Sequence, residues 1–318
     1  MAVENRAGRY APSPSGELHI GNLRTALLAW LFARSTGRRF LLRVEDLDRA
    51  RAGSEEQQIA DLQRIGLTWD ETPLRQTDRG DLYRDAITKL QARGLVFECF
   101  CTRRDIAEAT SAPHAAPGAY PGTCRNLTEE QRTHKRLERP AALRLRSEVT
   151  EFTVTDEVYG EYAGVVDDFV LLRNDGVPAY NFATVLDDLL QGVDQVVRGE
   201  DLLSSAPRQS YLRSLLSPEY DDAAPPLRYA HVPMVLNTSG QRLAKRDGAV
   251  TLADLELLGF STAEVVAELL RSVGLPGDGT RSPSVQLDAA LRVFDPRRLP
   301  SEPWIFDEFA LSHPGNET

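Results

Sequence analysis

The chain has 318 residues, a length that predicts two domains, and its 42% hydrophobic and 26% charged residues exclude a largely disordered protein. Its 37 basic and 47 acidic residues give a formal net charge of −10, which argues against a polyanionic partner unless basic residues cluster locally. The sequence has no run of about 18 apolar residues and no apolar signal core near Met1, so we expect no membrane span and a cytoplasmic location.

Residues 9–22, RYAPSPSGELHIGN, predict a short strand, a turn stiffened by two prolines and the start of a helix. Gly16 and Gly21 allow the backbone to approach a ligand closely. Apolar residues at helical spacing follow, so the helix amino terminus, with its free N–H groups and positive dipole end, faces the turn. The stretch therefore predicts a phosphate site to which His19 donates. The alternative is a proline-rich surface turn that leads into a core helix.

The next segments alternate between strand and helix. We predict a strand over 38–45, a helix that opens with a capping box of Ser54 and Gln57, and a second helix from about 78 to 93. The strand ends in a run of carboxylates, of which Glu45 is our candidate ligand-binding residue, because ligands in open α/β sheets bind beyond the carboxyl ends of strands. The alternation predicts a parallel sheet with helical crossovers.

All three cysteines of the chain lie in one stretch, Cys99-Phe-Cys101 and then Tyr120-Pro-Gly-Thr-Cys124. Thiolates are strong zinc ligands, and the loop between the two parts, rich in alanine, proline and glycine, could bring them together. A tetrahedral zinc ion needs a fourth ligand, for which His114 is the chemically obvious choice. The alternative is a set of free thiols in a protein core.

The remainder of the chain returns to strands. A capping box of Thr128 and Gln131 predicts a helix before them. Turn and strand signals then predict, in chain order, a hairpin over 169–183, a strand over 193–197, a helix near 204–216 and a strand over 232–236. Residues 251–318 contain two predicted helical stretches, the second opened by a capping box of Ser261 and Glu264.

Two groups of basic residues could bind phosphates on this acidic chain. They are Arg34, Arg38 and Arg39, and then Arg103, Arg104, Arg125, Arg132, Lys135 and Arg136. The alternative is that these residues form solvated, charged helix faces.

Residues 9–22 resemble the HIGH signature of class I aminoacyl-tRNA synthetases, in the version that the glutamyl and glutaminyl branch carries. Asn22 stands where the signature has its second histidine. Three later segments, LLRNDG from Leu171, YNFA from Tyr180 and VRGED from Val197, are similar to the second half of the glutamyl catalytic fold.

The segment Arg242–Gly248, RLAKRDG, resembles the KMSKS loop of the same family. Lys245 keeps the second lysine of that motif. Arg242 replaces the first lysine, and Ala244 and Arg246 replace the two serines. A basic turn that ends in glycine is by itself usually a charged surface turn. Its position after the HIGH-like segment implies a role in phosphate binding.

The resemblance implies an α/β fold with a Rossmann-like, parallel-sheet, nucleotide-binding catalytic domain in two halves, residues 1–98 and 166–250. Residues 99–165 would form an inserted subdomain that holds zinc. Residues 251–318 would form a short helical region that contacts the stem of a tRNA.

The activity implied by the resemblance is activation of L-glutamate with ATP and Mg²⁺ to glutamyl-adenylate, followed by transfer to tRNA. The implied catalytic residues are His19 and Lys245, both donating to phosphate oxygens. Arg9 and Arg198 would bind the substrate's side-chain carboxylate, and Glu45 its α-ammonium group. For Arg198 the alternative is a surface ion pair with Glu200 or Asp201.

The implied glutamate-binding set is Arg9, Tyr10, Ala11, Pro12, Ser13, Glu45, Tyr180 and Arg198. The implied ATP-binding set is Pro12, Ser13, Gly16, His19, Gly21, Asn22, Arg242, Leu243, Ala244, Lys245 and Arg246.

The cysteine pattern is similar to the zinc site of the glutamyl-Q tRNA(Asp) synthetases and of some glutamyl-tRNA synthetases. This resemblance implies one structural zinc ion per chain, held by Cys99, Cys101, Cys124 and Tyr120, with Tyr120 rather than His114 as the fourth ligand.

The acceptor is inferred from the length of the tail. Only 70 residues follow Gly248, too few for both a stem-contact region and an anticodon-binding domain. The chain therefore resembles the short branch whose members glutamylate the queuosine base in the anticodon loop of tRNA(Asp), and we expect a monomer whose adenylate formation needs no tRNA. The alternatives are a truncated glutamyl-tRNA synthetase that charges tRNA(Glu), and a non-catalytic paralogue that binds tRNA.

Overall fold

A computed structural model of the chain describes residues 6–102, 104–106, 120–221, 224–243 and 250–307. The strands in these residues form three sheets. They are β1 (Ala7–Tyr10), β2 (Arg39–Val44), β3 (Leu74–Arg75), β4 (Val96–Cys99), β5 (Ala142–Leu145), β6 (Glu151–Asp156), β7 (Gly160–Val165), β8 (Val170–Leu172), β9 (Val193–Gly199), β10 (Arg228–Val232), β11 (Val235–Leu236) and β12 (Trp304–Ile305).

The central sheet has seven strands in the order β3-β2-β1-β9-β10-β6-β7. Neighbouring strands pair in parallel except β6 and β7, which form an antiparallel hairpin at one edge. The strand order reverses at β1, because β2 lies on one side of it and β9 on the other. The predicted Rossmann-like fold with a mostly parallel sheet is confirmed, and β1 lies at the position where such sheets bind ligands.

The α-helices of the described residues are α1 (Ile20–Ser35), α2 (Ser54–Arg64), α3 (Gly80–Ala92), α4 (Glu129–Glu138), α5 (Tyr180–Leu190), α6 (Ala206–Tyr220), α7 (Leu252–Leu257), α8 (Thr262–Arg271) and α9 (Pro283–Val293). Of these α-helices, α1, α5 and α6 contact strands of the central sheet. None of the described helices combines the length and the apolar character that crossing a membrane requires.

Helix α1 is at the centre of the largest hydrophobic core. It contacts β1 and β9 on the sheet side and α8 and α9 on the other, so that apolar residues around most of its circumference are buried. Leu23, Leu27 and Leu31 are completely buried, and each such side chain stabilises the fold by roughly 1.5 to 3 kcal/mol. This packing fixes the amino terminus of α1 just beyond the carboxyl end of β1.

A second sheet, with the order β4-β5-β8, is antiparallel and leads from β4 directly into the cysteine-containing segment. The β6–β7 hairpin, which lies within the predicted insertion of residues 99–165, pairs with β10 and so extends the central sheet. The predicted boundaries between residues 1–98, 99–165, 166–250 and 251–318 stay predictions.

Three predicted elements of the catalytic region are wrong in detail. Ser54 is the first residue of α2 rather than its cap, because Gly53 occupies the N-cap position and Gln57 donates to Asp61 one turn further on, at 3.0 Å. The predicted hairpin over 169–183 has its turn, but the returning strand is limited to one bridge between Leu172 and Pro178.

The chain then enters α5 at Tyr180, inside the predicted second strand. Its apolar residues recur at helical spacing and are buried in the second core, so the helical period prevails over the turn signal. The predicted strand over 232–236 is likewise divided into β10 and β11, since Pro233 lacks the N–H group that a continuous ladder needs.

Two capping boxes predicted in other parts of the chain are present in the structure. The reciprocal capping boxes of Thr128 with Gln131 and of Ser261 with Glu264 are confirmed. The tail has three described helices, α7 to α9, instead of two. The stretch opened by Ser261 is α8 and the one before it is α7, so the unpredicted helix is α9, which has no side-chain cap.

Candidate active site

A cavity of about 470 Å³ opens at the carboxyl ends of β1, β9 and β10. Its floor is formed by residues at or just beyond these strand ends, and one wall is the amino terminus of α1. Polar and charged side chains from distant parts of the sequence therefore converge at the point where the strand order reverses.

The predicted glutamate-binding and ATP-binding residues that the structure describes all line this cavity. They are Arg9, Tyr10, Ala11, Pro12, Ser13, Gly16, His19, Gly21, Asn22, Glu45, Tyr180, Arg198, Arg242 and Leu243. The three other predicted ATP-binding residues, Ala244, Lys245 and Arg246, lie outside the described residues. The individual roles of all these residues stay predictions.

His19 is the N-cap of α1 and forms a reciprocal capping box with Asn22. The Asn22 backbone N–H donates to Nδ1 of His19 at 3.3 Å, and the His19 backbone N–H donates to Oδ1 of Asn22 at 3.2 Å. Because Nδ1 accepts, the neutral imidazole carries its proton on Nε2. The Asn22 side chain, in place of the signature's second histidine, thus accepts from the His19 backbone, whereas the tautomer of His19 is set by the backbone N–H of residue 22.

The glycines of this turn make room for that arrangement. A Cβ atom on Gly21 would lie 3.1 Å from both Cε1 and Nδ1 of the His19 ring, whose position the capping box fixes. Gly16 has a φ of +148°, a backbone conformation that other residues rarely adopt. Substitution of either glycine would displace the turn or the imidazole.

Arg9, at the end of β1, is held by a buried carboxylate that sequence reasoning missed. Its Nε and Nη2 donate to the two carboxylate oxygens of Asp188 on α5, at 3.1 and 3.2 Å. Arg43 donates from Nη1 to the same carboxylate at 2.7 Å. Burial alone would raise the pKa of Asp188, but the guanidinium groups of Arg43 and Arg9 lower it to about 2. The signal that could have indicated this site is the pair of acidic residues at 187–188 within an otherwise apolar helix.

Glu45 lies beside this cluster and is itself buried. Its Oε1 accepts from Thr184 Oγ1 at 3.0 Å and from Arg43 Nη2 at 3.3 Å. Burial raises the pKa of Glu45 by more than the guanidinium groups of Arg43 and Arg9 lower it. A ligand cation beside Glu45 would favour its charged form, as expected of a group that binds an ammonium.

Arg198 is buried at the end of β9, and the alternative of a surface ion pair with Glu200 or Asp201 is wrong. Its Nε donates to Nε2 of His231 at 3.0 Å, its Nη1 to Oε1 of Gln209 at 2.7 Å and its Nη2 to the Leu202 carbonyl at 3.2 Å. These bonds, all to described residues, use three of the five guanidinium N–H groups and leave one N–H on each Nη for a ligand. Such a fork matches a carboxylate.

Arg242 and Tyr180 lie at the rim of the cavity. Arg242, the first position of the KMSKS-like segment, forms an exposed ion pair with Asp201 at 2.7 Å. Tyr180, the first residue of α5, is 43% exposed. The exposed ion pair contributes little energy but holds Arg242 beside the end of β9.

The three cysteines and Tyr120 come together outside the catalytic cavity, as predicted. The sulfur atoms of Cys99, Cys101 and Cys124 lie within 4.8 Å of one another. The Tyr120 hydroxyl is 3.4 Å from Cys99 Sγ and 3.9 Å from Cys101 Sγ, and Cys101 Sγ is 3.6 Å from Cys124 Sγ. A tetrahedral zinc ion with these ligands needs edges of about 3.8 Å between sulfurs and about 3.5 Å between sulfur and oxygen, so the donor set fits zinc.

Groups that would stabilise anionic ligands surround this cluster, but burial opposes loss of the thiol proton at Cys101. Burial raises the pKa of the Cys101 thiol to about 12, so a cation is needed to keep this group deprotonated. Backbone N–H groups already point at the ligands, with Cys124 N 2.8 Å from the Tyr120 hydroxyl. The Arg144 guanidinium lies over the Tyr120 ring, 3.8 Å from its centroid. His114 lies outside the described residues.

The arginines of the first basic group pair with carboxylates of the chain. Arg38 forms a buried ion pair with Asp194, with contacts of 2.7 and 2.9 Å, while Arg34 pairs with Asp70 and Arg39 with Glu71. In the second group, Arg125 pairs with Asp168, and both Arg132 and Arg136 contact Glu98 and Glu129. Arg103 lies outside the described residues. Apart from the buried Arg38, these ion pairs favour the alternative of solvated, charged faces.

Comparison with known proteins agrees with the geometry. A family model described as the catalytic domain of class I tRNA synthetases (E and Q) matches residues 7–313. The chain is 58% identical to a glutamyl-Q tRNA(Asp) synthetase of Nocardia farcinica, over 97% of this chain and 95% of that protein. It is 36% identical to a glutamate–tRNA ligase of Caldanaerobacter subterraneus, over 94% of this chain and 62% of that ligase. A solved glutamate tRNA ligase from Elizabethkingia meningosepticum, in complex with its amino acid, superposes with a TM-score of 0.78 at 26% identity, covering 97% of this chain and 68% of that one.

Proposed function

Because the chain belongs to the class I tRNA synthetases of the glutamyl and glutaminyl type, and among them to the ligases of the glutamyl-Q tRNA(Asp) synthetase group, we propose a specific reaction for it. The protein activates L-glutamate with ATP without needing tRNA, and it transfers the glutamyl group to the queuosine base in the anticodon loop of tRNA(Asp). The main support for the proposal is that a single cavity is lined by the amino terminus of α1, by the buried Arg9 and Arg198, and by Glu45.

Recognition of glutamate follows from these charges. Arg198 offers the substrate's side-chain carboxylate two N–H groups that no other described residue uses, and Arg9 adds a second cation. Glutamine has a neutral amide with two donors of its own and would leave these guanidinium groups without a counter-charge. Glu45 binds the α-ammonium group.

Adenylate formation needs no protein nucleophile. The α-carboxylate oxygen of glutamate attacks the α-phosphorus of ATP, the bond to the bridging oxygen of the β-phosphate breaks, and pyrophosphate leaves. The Nε2–H of His19 and the free N–H groups at the start of α1 donate to phosphate oxygens as negative charge develops on them. Lys245 supplies a further positive charge.

The cysteine cluster has a structural part in this proposal. Cys99, Cys101, Tyr120 and Cys124 would hold one zinc ion, which cross-links the two ends of the intervening loop. Four protein ligands leave no coordination position for substrate. A zinc ion bound there would therefore stabilise the inserted subdomain and would take no part in adenylate formation.

For the acceptor, the relatives give the main support. Identity is 58% over nearly the whole of the Nocardia farcinica glutamyl-Q tRNA(Asp) synthetase, and 36% over 62% of the Caldanaerobacter subterraneus glutamate–tRNA ligase. We therefore assign the acceptor named by the former relative, queuosine-containing tRNA(Asp), rather than tRNA(Glu).

Amino-acid activation is tested by ATP–pyrophosphate exchange in the complete absence of tRNA. We expect exchange that depends on L-glutamate, with glutamine giving at most a small fraction of the rate. Exchange that requires added tRNA, or equal rates with glutamine, would overturn the proposed activation step.

A further inference from the structure

His231 lies directly behind Arg198 and is completely buried at the end of β10. Its Nδ1 is 2.6 Å from Oδ2 of Asp156, and its Nε2 accepts from Nε of Arg198 at 3.0 Å. A continuous hydrogen-bonded chain thus runs from a carboxylate on β6 through an imidazole on β10 to the guanidinium on β9. No motif in the sequence marks Asp156 or His231.

Asp156 is fixed as an ionised acceptor. Its Oδ1 accepts the backbone N–H groups of Val158 and Tyr159, at 2.9 and 3.0 Å, and its Oδ2 accepts the backbone N–H of His231 at 3.1 Å. Burial would raise the pKa of Asp156, but the bond to His231 and these backbone donors lower it. A carboxylate that only accepts requires the proton of His231 to be on Nδ1, which makes Nε2 the acceptor that faces Arg198.

The neutral form of His231 is favoured by its surroundings. Burial lowers the pKa of His231, and the cations Arg198 and Arg9 lower it further, against the opposing effect of Asp156. The imidazole also stacks on the Tyr229 ring, with centroids 5.5 Å apart and an interplanar angle of 20°. Protonation, or the other tautomer, would place an N–H group against the N–H of Arg198.

This chain determines where the free N–H groups of Arg198 point. His231 fixes the Nε end of the guanidinium, and Gln209, which in turn donates to Asn181 at 3.0 Å, fixes Nη1. The guanidinium also lies over the Tyr229 ring, 5.3 Å from its centroid. The planar guanidinium of Arg198 is therefore held by His231, by Gln209 and by the Tyr229 ring, and it has little freedom to rotate. Its two remaining N–H groups keep a fixed direction toward the cavity.

We propose that Asp156 and His231 are positioning residues for glutamate recognition: Asp156 selects the Nδ1–H tautomer of His231, and His231 thereby aligns Arg198 with the side-chain carboxylate of the substrate. This inference rests on the proposed glutamate activation. Neither residue lines the cavity, so both act through Arg198.

Two substitutions of His231 distinguish its proposed role in aligning Arg198 from its role in packing the core. In His231→Gln the side-chain oxygen can reach the former Nε2 position and still accept from Arg198. In His231→Asn the amide can reach the former Nδ1 position and donate to Asp156, but nothing then faces Arg198. We expect His231→Asn to raise the KM for glutamate at least tenfold in ATP–pyrophosphate exchange, with an unchanged KM for ATP, and His231→Gln to stay within about threefold of wild type.

Asp156→Asn supplies an independent test, since its amide can donate to Nδ1 and so favour the wrong tautomer. It should raise the KM for glutamate as His231→Asn does. His134→Asn, which changes an exposed histidine on α4, is the control. If the wild-type protein shows no glutamate-dependent exchange, the proposed function fails. If the wild type is active and the folded His231→Asn and Asp156→Asn variants keep its KM, the positioning inference fails.

The tautomer can also be measured in the wild-type protein, whether or not the variants fold. In ¹⁵N-histidine-labelled protein, the imidazole resonance of His231 should be pyrrole-like at Nδ1 and pyridine-like at Nε2. The reverse assignment, or a doubly protonated ring at neutral pH, would overturn the inference.

Discussion

Arg9 and Asp188 form a buried ion pair with two hydrogen bonds, 3.1 and 3.2 Å long, that joins the end of β1 to α5 at the wall of the cavity. Asp188 also accepts from the completely buried Arg43, which in turn contacts Glu45. The two groups that we assign to opposite charges of glutamate are therefore connected through one arginine and one aspartate. Their separation is set by the packing of the core rather than by flexible surface side chains.

Asp188→Asn should both destabilise the fold and weaken glutamate binding, because it leaves two buried guanidinium groups without their shared carboxylate. We expect a loss of about 3 to 5 kcal/mol of unfolding free energy, measured by urea denaturation. Asp194→Asn is the matched control, since Asp194 forms a buried ion pair of the same geometry with Arg38, which, unlike Arg9, does not line the cavity. It should destabilise similarly and leave the KM for glutamate unchanged. Equal KM values in the two variants would contradict the account.

The same pair contributes to acid sensitivity. The pKa of Asp188 is about 2 in the folded protein against an ordinary value of 3.8, so its stabilising effect is complete above 3.8 and is lost as the pH falls toward 2. In Asp188→Asn this part of the acid destabilisation should be absent. Urea denaturation of both proteins at several pH values in this window measures the difference.

Glu45→Gln should raise the KM for glutamate while preserving the contact with Thr184. Loss of a charged partner for the α-ammonium group costs roughly 1.5 to 3 kcal/mol, which corresponds to an increase in KM of about ten- to a hundredfold.

Because burial raises the pKa of Glu45, Glu45 should lose its charge on acidification at a higher pH than an ordinary glutamate does, and the wild-type KM for glutamate should increase there. Glu45→Gln should lack that pH dependence, whereas Glu130→Gln on the surface of α4 should retain it. A wild-type KM that is constant over this acid range would count against Glu45 as the ammonium ligand.

His19→Asn separates the cap of α1 from the imidazole. Asparagine is a good N-cap, so the unfolding free energy should change by less than about 1 kcal/mol. The Nε2–H donor is lost, and removal of one such donor to developing charge lowers kcat by about a hundredfold or more. Exchange kinetics at saturating ATP and glutamate measure this effect. A variant with wild-type kcat would show that the imidazole serves only to cap the helix.

Local sequence patterns predicted the ligand-facing ends of the strands well. The turn before α1, the strand that ends at Glu45 and the strand that ends at Arg198 each combine a hydrophobic run with a polar end, and each reaches the same cavity. These features depend on short-range periodicity and on the general rule for parallel sheets. The resemblance to a known family then connected them to glutamate and ATP.

The supporting residues could not be predicted in this way. Asp188 and His231 are 179 and 33 residues away along the chain from the arginines they hold. The acidic pair at 187–188 in an apolar helix indicates a buried charge but not its partner, and no local pattern marks His231. The error at Tyr180 has a related cause, since an Asn-Asp-Gly turn is compatible with either a strand or a helix after it. Only burial of the following apolar residues against α6 and β8 decides between the two.

Tyr120→Phe should lower zinc affinity while keeping the aromatic ring under Arg144. Metal analysis of purified protein should find about one zinc ion per chain in the wild type and less than that in the variant after mild chelation. Tyr211→Phe is the matched control, because Tyr211 likewise accepts a backbone N–H, from Glu148 at 3.1 Å, and lies in a different hydrophobic cluster from the cysteines. Wild-type protein without zinc would refute the metal assignment. Glutamate-dependent exchange should survive chelation better than transfer to tRNA.

The central claim concerns the acceptor, and one transfer assay tests it most directly. The protein is incubated with ATP, radiolabelled glutamate and one of four RNAs: queuosine-containing tRNA(Asp), the same tRNA with its 3′-terminal adenosine removed, tRNA(Asp) lacking queuosine, or tRNA(Glu). We predict label on both queuosine-containing forms, including the one with no intact 3′ end, and none on the other two. Label on tRNA(Glu), on tRNA(Asp) without queuosine, or only on the form with an intact 3′ end would contradict the account.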